Sequence, residues 1–207
     1  NEHYESLLLD TGEFVLDTLL SNDVLKEIPV LSSVVNLFKG TIAIRDRLFA
    51  EKLKRFLDDF DSLDEKEKQK IFDKMKSDPD ESNRVGKTTL IILERISEIK
   101  KAHIIAMLFI SYGLGHLPET DFRRLSSAVD LAFIDDLEKL ISLHKTPENS
   151  QESFLASLVT SGLTEIKAGN KFGSNTPLYY QITRLGNQLR TAYHQGLKHS
   201  SKKQVAS

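Results

Sequence analysis

The stretch Ala102-His-Ile-Ile-Ala-Met-Leu-Phe-Ile-Ser-Tyr-Gly-Leu114 is the longest strongly apolar run in this chain of 207 residues. A helix that crosses a membrane needs about 20 such residues. The run is shorter than that and contains a histidine, so we predict a buried helix of a soluble protein. The patterns on either side of it are mostly helical as well.

On the N-terminal side, apolar residues recur at steps of three, four and seven from Leu31 to Phe60. This spacing predicts one face of a long helix, which we expect to pack against the apolar stripe of the helix that contains the apolar run. The remaining sequence predicts a short charged helix, a single long helix containing the apolar run, and further helical material with Phe133 facing inward. The predicted ranges are 64–76, 83–112 and 118–143.

The pattern changes after residue 144. Asn149 and Glu152 are spaced as in a capping box, so a short helix is predicted to start there and to stop at Gly162. Two alternating apolar stretches, separated by a nine-residue loop with two glycines, predict a β-hairpin and then a last helix, over 163–168, 178–183 and 184–197. The residues expected to supply the packing of the hairpin are Leu163, Ile166, Leu178, Tyr180 and Ile182.

Two phrases in this region resemble the end of a winged-helix domain. They are Leu158-Val-Thr-Ser-Gly-Leu-Thr-Glu-Ile166 and Tyr180-Gln-Ile-Thr-Arg-Leu-Gly186. In that fold a helix ends in Gly-Leu, a hairpin wing follows, and a Tyr-x-Ile-Thr-x-x-Gly phrase caps the next helix. The helical pattern along the chain predicts a mostly α fold with a helical N-terminal region (1–117), and the resemblance implies that a small winged-helix-like C-terminal lobe (118–197) with one β-hairpin is joined to it. A basic flexible tail (198–207) is expected to follow.

A second resemblance covers the region from about Leu25 to Leu143. The segments that carry it are Leu25-Lys-Glu-Ile-Pro-Val-Leu31, Arg45-Asp-Arg-Leu-Phe-Ala-Glu-Lys-Leu-Lys-Arg-Phe-Leu57 and Arg84-Val-Gly-Lys-Thr-Thr-Leu-Ile-Ile-Leu-Glu-Arg-Ile96. Together they resemble the Abi-alpha-like group of uncharacterised bacterial helical proteins, which are connected with abortive infection. This resemblance implies a bacterial cytoplasmic protein with a part in phage defence, and it carries over no catalytic residues.

Composition excludes several classes of function. The chain has no cysteine, which excludes disulfides, thiolate catalysis and cysteine-ligated metals, and is consistent with a cytoplasmic location. The formal net charge of −2 provides no overall basic field to attract nucleic acid or anionic lipid. No secretory signal is visible at the start of the sequence.

No motif gives positive support for an enzyme, a metal site or a cofactor. The triplet Gly86-Lys87-Thr88 is like the end of a phosphate-binding loop, but Glu81 stands where that motif needs a glycine. The six histidines form no metal-ligating spacing. His103 lies on the apolar stripe, where a core histidine bonded to a neighbouring residue is the favoured interpretation.

Arg45 falls on the inner stripe of the predicted long helix, between Ile42 and Phe49. A buried guanidinium is costly unless it is paired, so we expect Arg45 to contact a carboxylate on another helix. The alternatives are that its side chain extends to the edge of the core or that it forms an anion site.

The surface of the predicted C-terminal lobe favours a protein partner over DNA. The helix before the wing has no Lys or Arg between residues 151 and 162, whereas DNA affinity rests largely on cations. The candidate interaction residues are Arg45, Lys167, Lys171 and Phe172.

The leading hypothesis is a non-enzymatic bacterial interaction or regulatory protein, with a protein partner or self-association, no specific nucleic acid and no membrane span. One alternative is a DNA-binding transcription regulator. The other is a membrane-active effector that inserts residues 28–44.

Overall fold

The computed structural model describes residues 44–144, 150–167 and 178–200, with side chains described from residue 48 onward. These residues form eight helices and one two-stranded antiparallel hairpin, which confirms the predicted mostly α class. In chain order the elements are α1 (Ile44–Asp61), α2 (Glu65–Ser77), α3 (Pro79–Arg95), α4 (Ile99–Gly113), α5 (Glu119–Leu131), α6 (Ile134–Ser142), α7 (Ser153–Ser157), β1 (Thr164–Lys167), β2 (Tyr179–Ile182) and α8 (Arg184–Ser200).

The apolar run forms α4, and the other helices are built around it. From Ala102 to Gly113 every residue except His103 is buried, and α1, α5 and α8 pack along this helix. The ring of Phe109 lies 5.2 Å from that of Phe56 in α1. The predicted buried helix is therefore confirmed. None of the helices in the described part of the chain combines the length and the apolar character that crossing a membrane requires.

The packing of α1 on α4 confirms the predicted apolar stripe where the structure describes it. Leu53, Phe56 and Phe60 are all fully buried. The part of the predicted long helix before residue 44 lies outside the described residues.

The predicted single helix over 83–112 is wrong, because two helices, α3 and α4, occupy that range. The chain is extended at Ile96, with φ −57° and ψ 139°, and the Ile96 side chain is buried. The ammonium group of Lys52 in α1 donates to the carbonyl oxygens of Glu94 at 3.0 Å and Ile96 at 2.8 Å. A cation at the C-terminus of a helix stabilises carbonyls that lack helical partners. The helix therefore ends at a contact with α1, where the sequence has neither Gly nor Pro.

Helices α2 and α3 begin at aspartate caps. The side chain of Asp64 accepts a hydrogen bond from the backbone N–H of Glu67 at 2.7 Å, and that of Asp78 accepts one from Glu81 at 2.9 Å. Pro79 occupies the first turn of α3, where its missing N–H costs nothing. Because of this cap, α3 starts four residues before the predicted position.

Two further helix ends are held by cationic or imidazole groups from other elements. The buried Lys101 donates to the carbonyl oxygen of Asp130 at 3.1 Å, at the end of α5. His194 Nε2 lies 3.0 Å from the carbonyl oxygen of Ile141, at the end of α6. These contacts join the short helices to the core at their ends as well as along their apolar faces.

The predicted helical stretch over 118–143 is divided between α5 and α6. Ala132 and Phe133 are extended, with ψ of 152° and 136°, and separate the two helices. Phe133, which was predicted to face inward, is 58% exposed, because the break turns its side chain away from the core. Leu131 is exposed beside it.

The hairpin and α8 follow the predicted order. Thr164 pairs with Ile182 and Ile166 with Tyr180 in the β1–β2 ladder, and Ser150 forms one further bridge to Tyr180. The hydroxyl of Thr183 accepts from the N–H of Gly186 at 3.0 Å and so caps α8. The short helix α7 begins at Ser153, and its cap residue Glu152 makes no side-chain hydrogen bond to the helix. The predicted capping box is therefore not its start, and Asn149 lies outside the described residues.

The predicted packing of the hairpin is correct at its base and wrong at its tip. Leu163 and Ile182 are buried, and Tyr180 is partly buried. Ile166 and Leu178, however, are 53% and 55% exposed. The two strands extend past the helices that cover their base. The alternation of apolar and polar residues therefore continues into a part of the hairpin where no core residues cover the apolar side chains.

Candidate functional site

A cavity of about 560 Å³ lies between α1, α4, α6 and α8, and we call it the histidine cavity. Its volume is within the range of small-molecule pockets, which is about 300–1,000 Å³. Its apolar wall consists of Ile99, Ile104, Ile141 and Leu197. Its polar side contains Arg55, Lys100, His103, Glu138, Tyr193 and His194.

A hydrogen-bonded chain of three side chains lies at the histidine cavity, and two of them, His103 and Tyr193, line it. His103 Nδ1 lies 2.8 Å from Oδ2 of Asp59, and His103 Nε2 lies 3.1 Å from the hydroxyl oxygen of Tyr193. The three residues come from α4, α1 and α8, so the chain ties together the helices that form the core. The Asp59 side chain is only 11% exposed and the His103 side chain 23%.

We assign to His103 the neutral tautomer that suits its contact with Asp59. In this tautomer Nδ1–H donates to the Asp59 carboxylate, and Nε2 accepts from the hydroxyl of Tyr193. Arg55 supports this arrangement from α1, because its Nε lies 3.2 Å from Asp59 Oδ2. Its Nη2 also lies 3.1 Å from His103 Nδ1, but both groups are donors, so we assign the bond at Nδ1 to the shorter, charge-assisted contact with Asp59.

The phenol of Tyr193 keeps its proton at neutral pH. Burial raises the pKa of Tyr193, and the negative charges of Asp59 and Glu138 raise it further, while Arg55 acts in the opposite direction. The phenol therefore has a proton to donate to Nε2 of His103 in the assigned tautomer, and its oxygen can also accept a hydrogen bond. Both ring nitrogens of His103 are engaged, so the chain of hydrogen bonds positions Tyr193 and leaves no ring nitrogen open to a bound molecule.

The rim of the cavity carries a second pair of opposite charges. Lys100 Nζ lies 3.0 Å from Glu138 Oε1, and a hydrogen bond to Glu138 raises the pKa of Lys100. Both side chains are largely exposed, at 66% and 47%. Exposed pairs of this kind contribute little to stability and can be rearranged by a ligand.

Lys167 is the one candidate interaction residue whose side chain the structure describes, and it does not line this cavity. Lys167 is exposed at the end of β1, opposite Tyr179. Arg45 lies in α1, and its side chain is outside the described residues, as are Lys171 and Phe172 entirely. The expected pairing of Arg45 with a carboxylate thus stays a prediction.

Sequence reasoning identified one member of the hydrogen-bonded chain. His103 was predicted to be bonded to a neighbouring residue, which is confirmed. In the sequence, Asp59 stands among several carboxylates at the end of the predicted long helix, a pattern typical of a solvated helix terminus, and nothing distinguishes Tyr193. The only signal in the sequence was the polar residue itself on an otherwise apolar stripe.

A second surface of interest is the outer end of the hairpin. Ile166 in β1 pairs with Tyr180 in β2, and Leu178 directly precedes β2; we call these three residues the hairpin face. Its two aliphatic members are more than half exposed. The neighbouring helix α7 exposes Ser153 and Ser157 but no cation.

The described residues contain no group of three or more His, Asp or Glu side chains that could hold a metal ion. The triplet Gly86-Lys87-Thr88 lies inside α3 and forms no loop. No family model, curated protein or solved structure matches this chain.

Proposed function

We propose that this protein is a non-enzymatic interaction or regulatory protein that docks a partner protein through the hairpin face. The observation that carries the proposal is the exposure of Ile166 and Leu178, at 53% and 55%, on strands whose base is firmly buried. Large aliphatic side chains held in a fixed position at the surface are typical of protein–protein contact sites.

The edge of the hairpin supports the same proposal. Within the described residues β1 pairs with β2 alone, so the other side of β1 offers unpaired backbone donors and acceptors. An extended segment of a partner can add to such an edge as a further strand, with its apolar side chains against Ile166. The partner chemistry that fits is thus an extended, apolar peptide segment.

The charge of the lobe favours a protein over DNA as the partner. Residues 151–162, which include α7, contain no Lys or Arg, and α7 has only five residues. Affinity for DNA requires several cations against phosphates. The resemblance to the Abi-alpha-like group supports a bacterial phage-defence setting for this interaction.

The test compares a double variant of the hairpin face with the unchanged chain. Ile166→Ser with Leu178→Ser should abolish capture of the native partner, or self-association measured by sedimentation, without a change in melting temperature, because both side chains are exposed. Leu131→Ser is the matched control, since Leu131 is an equally exposed leucine outside the hairpin, at 60%.

Two results would contradict the proposal. The first is capture or self-association that the double variant and the control retain equally. The second is tight, sequence-dependent binding of duplex DNA in fluorescence anisotropy at physiological salt, which would support the transcription-regulator alternative.

A further inference from the structure

The histidine cavity presents charges of both signs around an apolar wall. Arg55 lies on one side, where Asp59 neutralises part of its charge, and Glu138 lies on the rim beside Lys100. A ligand that is purely anionic would meet the two carboxylates, and one that is purely cationic would meet Arg55 and Lys100. A molecule that carries both a positive and a negative group can place each group beside a side chain of opposite charge.

The hydrogen-bonding groups of the cavity have open positions for such a molecule. In the assigned tautomer the Tyr193 hydroxyl donates a hydrogen bond to His103, and its oxygen can still accept one from a ligand N–H. Arg55 uses Nε for Asp59, and its side chain is 45% exposed, so its remaining N–H groups can bind a carboxylate. The carboxylate of Glu138 can accept from an ammonium group.

The phenol of Tyr193 lies within the field of both charges. Tyr193, Glu138 and Arg55 all line the cavity, and the charges of Glu138 and Arg55 act on the pKa of the phenol in opposite directions. The apolar wall of Ile99, Ile104, Ile141 and Leu197 stands beside this polar group. The arrangement is that of a head-group site next to a side-chain site.

We propose that the histidine cavity binds a small zwitterion with an apolar side chain, which is the chemistry of a free aliphatic or aromatic amino acid. The ligand carboxylate accepts from Arg55, its ammonium group donates to Glu138 and to the Tyr193 oxygen, and its side chain lies against the isoleucines. The proposal goes beyond the docking function and does not depend on it.

Calorimetric titration of the full chain with L-leucine and L-phenylalanine tests this proposal. Two analogues of leucine separate the charges: isocaproate lacks the ammonium group, and isoamylamine lacks the carboxylate. We expect at least one of the two amino acids to bind, and each leucine analogue to bind at least about tenfold more weakly than leucine, because each loses a charge-assisted hydrogen bond.

Two cavity variants assign the charges to residues. Arg55→Gln should weaken leucine binding by about tenfold and leave leucine no better than isoamylamine. Glu138→Gln should weaken it similarly and leave leucine no better than isocaproate. The matched controls are Arg124→Gln and Asp135→Asn, which change exposed residues outside the cavity lining and should keep the affinity within about twofold.

The melting temperatures of Glu138→Gln and of both controls should equal that of the unchanged chain, because each replaced side chain is exposed. Arg55→Gln removes the ion pair with Asp59 and should lower the melting temperature by no more than about 2–4 °C. The proposal is overturned if neither amino acid binds at concentrations up to about 10 mM. It is also overturned if the analogues bind as tightly as leucine, or if the cavity variants behave like their controls.

Discussion

Replacing Gly196 by alanine should force α8 away from α4 and destabilise the protein. A Cβ atom at Gly196 would lie 2.2 Å from the carbonyl oxygen of Met107 and 2.8 Å from its Cα. These are backbone atoms, which cannot turn aside as the end of a side chain can. Ordinary contact begins at 3.4 Å, so the two helices must separate by about 1.2 Å.

The size of the effect follows from two opposing contributions. Overpacking of a well-packed interface costs about 1–3 kcal/mol, and a contact with backbone belongs at the upper end of that range. Alanine in place of glycine inside a helix contributes about 1 kcal/mol in the other direction. We therefore expect a net loss of about 2 kcal/mol, which for a chain of this size lowers the melting temperature by about 4–8 °C.

Urea unfolding followed by circular dichroism measures this loss. Thr191→Ala is the matched control, because Thr191 lies in the same helix with an exposed side chain. The control should remain within about 0.5 kcal/mol of the unchanged chain. If Gly196→Ala is as stable as this control, the two helices do not approach as closely as the structure indicates, and the reasoning is refuted.

Two other predictions concern buried polar groups. Lys52→Met keeps the aliphatic packing but removes the ammonium group from the last carbonyls of α3, so urea unfolding should show a loss of about 1–3 kcal/mol; an unchanged stability would contradict this. Burial first, and then the hydrogen bond to Glu81, raises the pKa of Tyr112, and the pKa of Tyr193 is raised as well. Both phenols would lose their protons near pH 10 in the unfolded chain, so stability should be complete below about pH 10 and decrease as the pH rises above it. Thermal melts should show a smaller alkaline loss in Tyr112→Phe, and equal losses in both proteins would contradict the assignment.

The sequence predicted those helices and strands whose limits depend on residues close to one another in the chain. The apolar run fixed the central helix, and the alternation and turn residues of the C-terminal region located β1, β2 and α8 to within a few residues. It did not predict the end of α3, because that end depends on Lys52, which is 44 residues away from Ile96 in the chain. Without a Gly or Pro, an uninterrupted helical pattern gives no sign of such a break.

The candidate site could not be predicted from the sequence either, because it too depends on contacts between residues far apart in the chain. The hydrogen-bonded partners at the cavity are far apart in the chain: 44 residues separate Asp59 from His103, and 90 residues separate His103 from Tyr193. A polar residue on an apolar stripe indicates that a partner must exist, since a buried polar group without one is costly. It does not indicate which helix supplies that partner, because this depends on how the helices pack.

The two proposed surfaces are connected by one rigid element and can still be separated experimentally. At its N-terminal end, α8 approaches the base of the hairpin so closely that a Cβ at Gly186 would lie 2.2 Å from the carbonyl oxygen of Leu163. The hydroxyl of Thr183 donates to the same carbonyl oxygen at 3.1 Å. About 15 Å further along the helix, Gly196 makes the equally close approach to Met107 beside the cavity. The orientation of the hairpin relative to the core thus depends on α8, and also on α7, where the carbonyl oxygen of Leu155 accepts from the hydroxyl of Thr164 in β1. A bulkier residue at Gly186 should therefore disturb the hairpin face before the cavity wall, and should weaken docking. A bulkier residue at Gly196 should disturb the cavity wall before the hairpin face, and should weaken ligand binding.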